Sequence, residues 1–148
     1  MLKIGEKAPS INSIDENGEV IKLEQFKGKK IVLYFYPKDM TPGCTVQSCN
    51  LRDNYQKLLD NGYVVLGCSA DTPEKHQKFI KKYNLPFPLI SDESKEVLNA
   101  YGVWGPKKFM GKEYMGISRT TFIINEQGVI EDIITKVNTK NHTAQIVK

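Results

Sequence analysis

The sequence predicts an α/β fold: a central mixed β-sheet flanked by helices, with an N-terminal β-hairpin. Three observations carry this expectation. Strand-like apolar runs alternate with amphipathic helical stretches from about residue 30 to about residue 101, the order that builds parallel strands joined by crossovers. A strand pair around a turn precedes this block and another follows it, which adds antiparallel neighbours and makes the sheet mixed. The 148 residues are 40% hydrophobic and 26% charged. That is ordinary for a globular chain forming one domain over 1–148, long enough to bury about 70% of its unfolded surface.

Each element has a local reason. Residues 11–15 and 19–21 flank Glu16-Asn17-Gly18 as the leading hairpin. Residues 31–36, IVLYFY, form a continuous β-branched and aromatic run ending at Pro37, the pattern of a buried central strand. Thr41 is a helix N-cap and Pro42 suits the first helical position. Leu51, Tyr55 and Leu58 then recur at intervals of four and three as one apolar stripe, and Asn61 and Gly62 stop the helix. Tyr63–Ser69 is a second buried strand, Thr72 caps a helix over Pro73–Tyr83, and Pro86 and Pro88 break the chain before a strand at Leu89–Ser91. Residues 93–101 make a short helix closed by Gly102. Thr120–Ile124 and residues 129–134 flank the turn 125–128 as a hairpin, and residues 139–147 allow a short terminal helix. Right-handed crossovers place the loop 37–41 at the carboxyl end of a central strand, where α/β proteins build sites.

Composition excludes several function classes. The net charge is +4, but the lysine clusters at 27–30, 81–82 and 107–108 lie far apart and are interleaved with acids, which reads as solvated surface and not as a nucleic-acid face. The longest apolar run, residues 31–36, is far too short to span a membrane. Three cysteines are too few and odd for a secreted disulfide scaffold, and the opening MLKIGEKAPS lacks the apolar core of a signal peptide, so a reducing cytoplasm is expected. His76 and His142 each stand alone on a polar stretch, without metal-ligand spacing, so no metal is expected.

The chemistry concentrates in PKDMTPGCTVQSCN, residues 37–50. Cys44 falls in the first turn of a helix, where unpaired backbone N–H groups and the positive end of the dipole favour an anion, and a thiolate is the anion on offer. Thr41, Pro42 and Gly43 crowd the same helix start. At about 100° per residue, Cys44 lies about 20° from Leu51 and Cys49 about 160° from it, so the two sulfurs should point to opposite sides. Cys68, inside VVLGCSA, reads as a small packed hydrophobe.

These residues carry a resemblance. PKDMTPGC matches the PxxxTxxC signature of the peroxiredoxins through Pro37, Thr41 and Cys44. The wider text, YFYPKDMTPGCTVQSCNLRDN, VLGCSAD, PFPLISD, YGVW and KFMGKEYMGISRTTFII, resembles the bacterioferritin comigratory protein or peroxiredoxin Q subfamily from about residue 5 to about residue 142. The resemblance implies a thioredoxin-like fold and a monomeric antioxidant thiol peroxidase that reduces hydrogen peroxide and organic hydroperoxides with no bound cofactor. It casts Cys44 as the peroxidatic cysteine and Arg119, in GISRTTF, as the cation that holds its thiolate and polarises the peroxide. Thr41 would accept a hydrogen bond from the peroxide or give one to the sulfur, and Pro37 would screen the pocket from water. Cys49 matches the resolving cysteine of members whose second thiol lies five residues on, and thioredoxin or a similar dithiol would reduce the resulting disulfide. Cys68 departs from the pattern without touching this chemistry.

Two rival readings use the same residues. A general thiol–disulfide oxidoreductase would normally carry CxxC, whereas four residues separate Cys44 from Cys49. A redox-switched binding module or holdase would expose apolar surface on oxidation and turn nothing over.

Overall fold

The computed structural model describes residues 2–147. The chain runs through β1 (Asn12–Ile14), β2 (Val20–Lys22), β3 (Lys30–Phe35), α1 (Pro42–Asp53), α2 (Tyr55–Asp60), β4 (Tyr63–Ser69), α3 (Pro73–Tyr83) and β5 (Leu89–Ser91). It continues through α4 (Glu96–Ala100), β6 (Trp104–Phe109), β7 (Lys112–Ile117), β8 (Thr120–Ile124), β9 (Ile130–Ile134) and α5 (His142–Ile146). One sheet has the order β2-β1-β5-β4-β3-β8-β9. Its centre, β3, β4 and β5, is parallel, and its other pairings are antiparallel. The expected hairpins at the two ends of the chain supply the antiparallel margins.

Alternation along β3 divides the core in two. Ile31, Leu33 and Phe35 pack on one face with Leu66, Cys68, Tyr101 and Phe122. Val32, Tyr34 and Tyr36 pack on the other with Cys44, Leu51, Leu58 and Phe79. A strand buried on both faces must be apolar throughout, which is why IVLYFY shows no alternation in sequence. Gly67 on β4 permits this packing: a Cβ there would lie 2.6 Å from Leu89 Cδ2 and 2.9 Å from Tyr34 Cζ.

Two expectations change. The helix after Pro42 is broken at Asn54, whose backbone (φ −109°, ψ 15°) separates α1 from α2. The Asn54 side chain donates to the Asn50 carbonyl at 2.8 Å, a local competition with helical hydrogen bonding that asparagine favours. Leu51 and Leu58 remain fully buried on the same side, worth roughly 2 kcal/mol each, so the stripe survives the break. The second change is β6–β7, an antiparallel ribbon apart from the main sheet, in a stretch to which the sequence assigned no element. Its two-residue loop, Met110-Gly111, has φ of +51° and +81°. Such turns usually begin with Asn or Asp, so Met-Gly gave no signal.

Candidate active site

The chain leaves β3 at Phe35, passes through the loop 37–41 and enters α1, whose first turn carries Cys44. Sheet register brings the partner residue in: Phe35 pairs with Thr120, so Arg119, one residue before β8, arrives beside the same end of β3. Its Nη2 donates to Cys44 Sγ at 3.3 Å, and its Nη1 donates to Gln47 Oε1 at 2.6 Å. Cys44 as a whole is 1% exposed. A Cβ at Gly43 would stand 3.2 Å from Arg119 Nη2, so the missing side chain is what lets the guanidinium come this close.

Gln47 is a site residue that the sequence reading missed. It is fully buried and lies three positions after Cys44, hence on the same helix face. Its Oε1 fixes the guanidinium, while its Nε2 has no hydrogen-bond partner among the described residues. In the sequence it is only a polar residue on the inward side of α1, with nothing nearby to mark Arg119 as its partner.

Thr41 occupies the N-cap position of α1 in extended backbone, but its side chain does not cap the helix. Instead Thr41 Oγ1 donates to the Lys38 carbonyl at 2.8 Å. The hydroxyl proton is thereby committed, and the oxygen's lone pairs remain free to accept. Of the two expected uses of Thr41, acceptance from a peroxide fits this geometry and donation to sulfur does not. Pro37 is half-buried at the start of the loop.

The other thiols differ in setting. Cys49 lies on α1 with Cys44, half-buried, facing away from the fully inward Leu51 as the helix projection predicts. Burial raises its thiol, with Arg52 lowering and Asp53 raising it. Cys68 is fully buried and its thiol is pushed far up by burial and by Asp92, as expected of a packed sulfur. All three are free.

Both histidines overturn the expectation of isolated residues on polar stretches, for both are fully buried. His142 accepts from Thr121 Oγ1 at 2.8 Å and donates from Nδ1 to Gln145 Oε1 at 2.7 Å. His76 lies on α3 on the side of Phe79, Ile80 and Tyr83, the helical spacing i, i+3, i+4, i+7, and reaches the loop residue Asp39. Asp39, Asp71 and His76 offer donor atoms within 4.8 Å of one another. However, His76 Nδ1 and Asp39 Oδ2 are only 2.6 Å apart, whereas two ligands of one tetrahedral ion stand about 3.3 Å apart. This is a hydrogen bond, and the cluster as arranged does not fit an ion. A separate cavity of about 310 Å³, lined by Lys7, Phe26, Lys29 and Gly128 among others, contains none of these groups.

Comparison with known proteins gives a consistent picture. Residues 4–133 match the AhpC/TSA family. The chain is 46% identical over 147 residues to peroxiredoxin Bcp of Bacillus subtilis, covering 99% of this chain and 94% of that protein. It is 49% identical over 141 residues to peroxiredoxin Bcp of Escherichia coli, covering 95% and 90%. Among solved structures it resembles the Xanthomonas campestris bacterioferritin comigratory protein, studied for alkyl peroxide reduction. The TM-score is 0.86 at 30% identity, over 92% of this chain and 87% of that one.

Proposed function

Because the chain belongs to the AhpC/TSA family and, within it, to the Bcp or peroxiredoxin Q group with its thioredoxin-like fold, we propose that Cys44 reduces hydrogen peroxide and organic hydroperoxides as the nucleophile of a thiol peroxidase. The observation that carries this reading is the 3.3 Å contact between Arg119 Nη2 and a sulfur almost wholly shielded from solvent. The Cys44 thiolate attacks the terminal peroxide oxygen. The O–O bond breaks, Cys44 becomes a sulfenic acid, and the departing alkoxide or hydroxide takes up a proton to leave as alcohol or water. Arg119 faces the charge that moves from sulfur to oxygen. Thr41 Oγ1 accepts the peroxide O–H, a role supported by the commitment of its own proton to Lys38 O, and Pro37 covers the loop side of the pocket.

Cys49 then attacks the sulfenic sulfur, releasing water and forming a Cys44–Cys49 disulfide, which thioredoxin or a similar dithiol reduces by exchange. Its raised thiol in the folded helix suits a group that acts only after the helix opens and water reaches it. The near-complete burial of Cys44 disfavours the oxidoreductase rival, since a protein disulfide cannot reach a sulfur that a small peroxide can. The proposed working unit is a monomer with residues 1–148 as one domain, since Arg119 and Cys44 already meet within the chain. No described helix is long and apolar enough to cross a membrane, and a reducing cytoplasm is the compartment that would keep the three thiols ready. The test is peroxide-dependent NADPH oxidation coupled through thioredoxin and its reductase. Turnover of insulin disulfides without peroxide consumption would overturn the reading.

A further inference from the structure

The loop between β3 and α1 is held from below by a buried polar network that the proposed reaction does not use. His76 Nε2 lies 3.0 Å from the Ile90 carbonyl, which only accepts, so Nε2 carries a proton. His76 Nδ1 lies 2.6 Å from Asp39 Oδ2, and Tyr36 donates its hydroxyl to Asp39 Oδ1 at 2.5 Å. Burial raises the Tyr36 phenol far above its usual range, so the phenol keeps the proton it donates. One further proton therefore lies between Asp39 and His76, wherever along the 2.6 Å line it resides. The Asp39 amide also donates to Asp71 Oδ2 at 2.9 Å, and Ser69 Oγ donates to the same oxygen at 2.7 Å. Asp39, Asp71, His76, Tyr36 and Ser69 are all buried.

The next residue shows what this anchoring does. Met40 has φ +68°, a left-handed conformation that a methionine adopts only when its surroundings impose it. Asp39 is clamped on one side of Met40 and α1 begins on the other, so the strained residue reverses the chain. That reversal brings Thr41 Oγ1 back onto the Lys38 carbonyl at 2.8 Å, the contact that leaves the Thr41 lone pairs available to peroxide.

We propose that Asp39 and His76 are positioning residues for the peroxide step: their shared-proton hydrogen bond fixes the loop 37–41 so that Thr41 accepts from the substrate. This inference rests on the peroxidase reading of Cys44, and the experiment separates the two. In the full-length reduced protein, the rate constant of Cys44 with hydrogen peroxide is measured alongside that with iodoacetamide, an alkylation that makes no use of Thr41. A high ratio of the two in the native chain tests the peroxidase reading; the change in ratio among variants tests the inference.

Asp39→Ala is expected to lower the ratio by about tenfold or more, because misplacing one substrate contact costs that much in a preorganised site. Asp39→Asn should recover most of the loss, since its carboxamide N–H can donate to neutral Nδ1 while its oxygen still accepts from Tyr36. A merely loosened fold would expose the buried Cys44 and lower the ratio by speeding alkylation, so a fall counts for the proposal only where the iodoacetamide rate stays at or below the native value. If Asp39→Ala does not fold, Tyr36→Phe removes one hydroxyl from the same clamp, and a fall in the ratio of about threefold or more supports the proposal. A ratio within about twofold of the native value in the folded variant, or an Asn variant no better than Ala, overturns it.

Discussion

Thr143 donates twice to the side-chain oxygen of Asn50, from its amide and from its hydroxyl, each at 2.8 Å. Asn50 Nδ2 donates in turn to the Lys140 carbonyl at 2.8 Å. The residue directly after Cys49 thus ties α1 to the C-terminal segment, and this tie bears on how a Cys44–Cys49 disulfide forms. Residues i and i+5 of an α-helix have Cα atoms about 8.7 Å apart with side chains diverging by about 140°, and a disulfide tolerates at most about 7 Å. Both cysteines lie within the continuous α1. Oxidation is therefore expected to unwind roughly residues 41–51 and to strain or break the Asn50 contacts. Amide exchange should be faster across 41–51 in oxidised protein, and the Thr143 amide should lose protection with it. Equal protection in both forms, with the bond confirmed by mass spectrometry, would exclude the unwinding.

Cys44→Ser should reduce peroxide turnover by at least about 100-fold, since a serine hydroxyl with no adjacent base is not an anion at neutral pH. Stopped-flow peroxide consumption measures this directly. Residual activity of more than a few per cent would remove Cys44 from its role.

Cys49→Ser should react once with peroxide, then stop cycling with thioredoxin and accumulate over-oxidised Cys44. Intact-mass analysis distinguishes one added oxygen from two or three. Full-rate cycling would mean that the reductant attacks the sulfenic acid itself.

Arg119→Met should slow the peroxide step by about 100- to 1000-fold, the range for losing a charge-stabilising donor. Gly43→Ala offers a gentler perturbation, because its methyl would meet Arg119 Nη2 at 3.2 Å and displace the guanidinium by a few tenths of an ångström. It should slow the same step by a smaller factor and leave the melting temperature almost unchanged. Normal peroxide rates in both variants would mean that the guanidinium is not stabilising the reaction.

Burial holds His142 below its ordinary 6.5, with Arg119 acting in the same direction and the Gln145 hydrogen bond against it. A depressed folded value means that the unfolded chain binds this proton more tightly, so stability is lost as pH falls through the unfolded value toward the folded one. The urea midpoint should drop between about pH 7 and about pH 5, and His142→Gln should flatten that drop. A variant with the same pH dependence as the native protein would show that His142 does not report there.

The elements that the sequence made legible were those whose local pattern and tertiary setting agree. IVLYFY could only be a strand buried on both faces, and Pro42 with Gly43 marked the start of α1. The α1–α2 break was not legible, because a single Asn54 side chain decides it against a stripe that continues to Leu58. The β6–β7 ribbon has the right length for two strands but carries its reversal on Met110-Gly111. At the site, Cys44 and Arg119 could be named from the resemblance, while their approach depends on the Phe35–Thr120 register, which no local pattern encodes. Gln47 and His76 were hidden for a shared reason. Each is polar, and a polar residue on an inward stripe looks like noise until its partner, Arg119 or Asp39, is known to be there.

The sheet also governs which sulfurs can meet. Three cysteines allow three pairings, yet Cys44 belongs to the core on one side of β3 and Cys68 to the core on the other. Cys68 sits on β4, in register with Phe35, so a bond between Cys68 and either thiol of α1 would have to pass through hydrogen-bonded strands. Local unwinding of α1 frees Cys44 and Cys49 without opening that barrier. The strand layer thus acts as insulation against scrambling: peroxide stress should load one disulfide and leave the third thiol as a silent spectator for as long as the sheet stays intact.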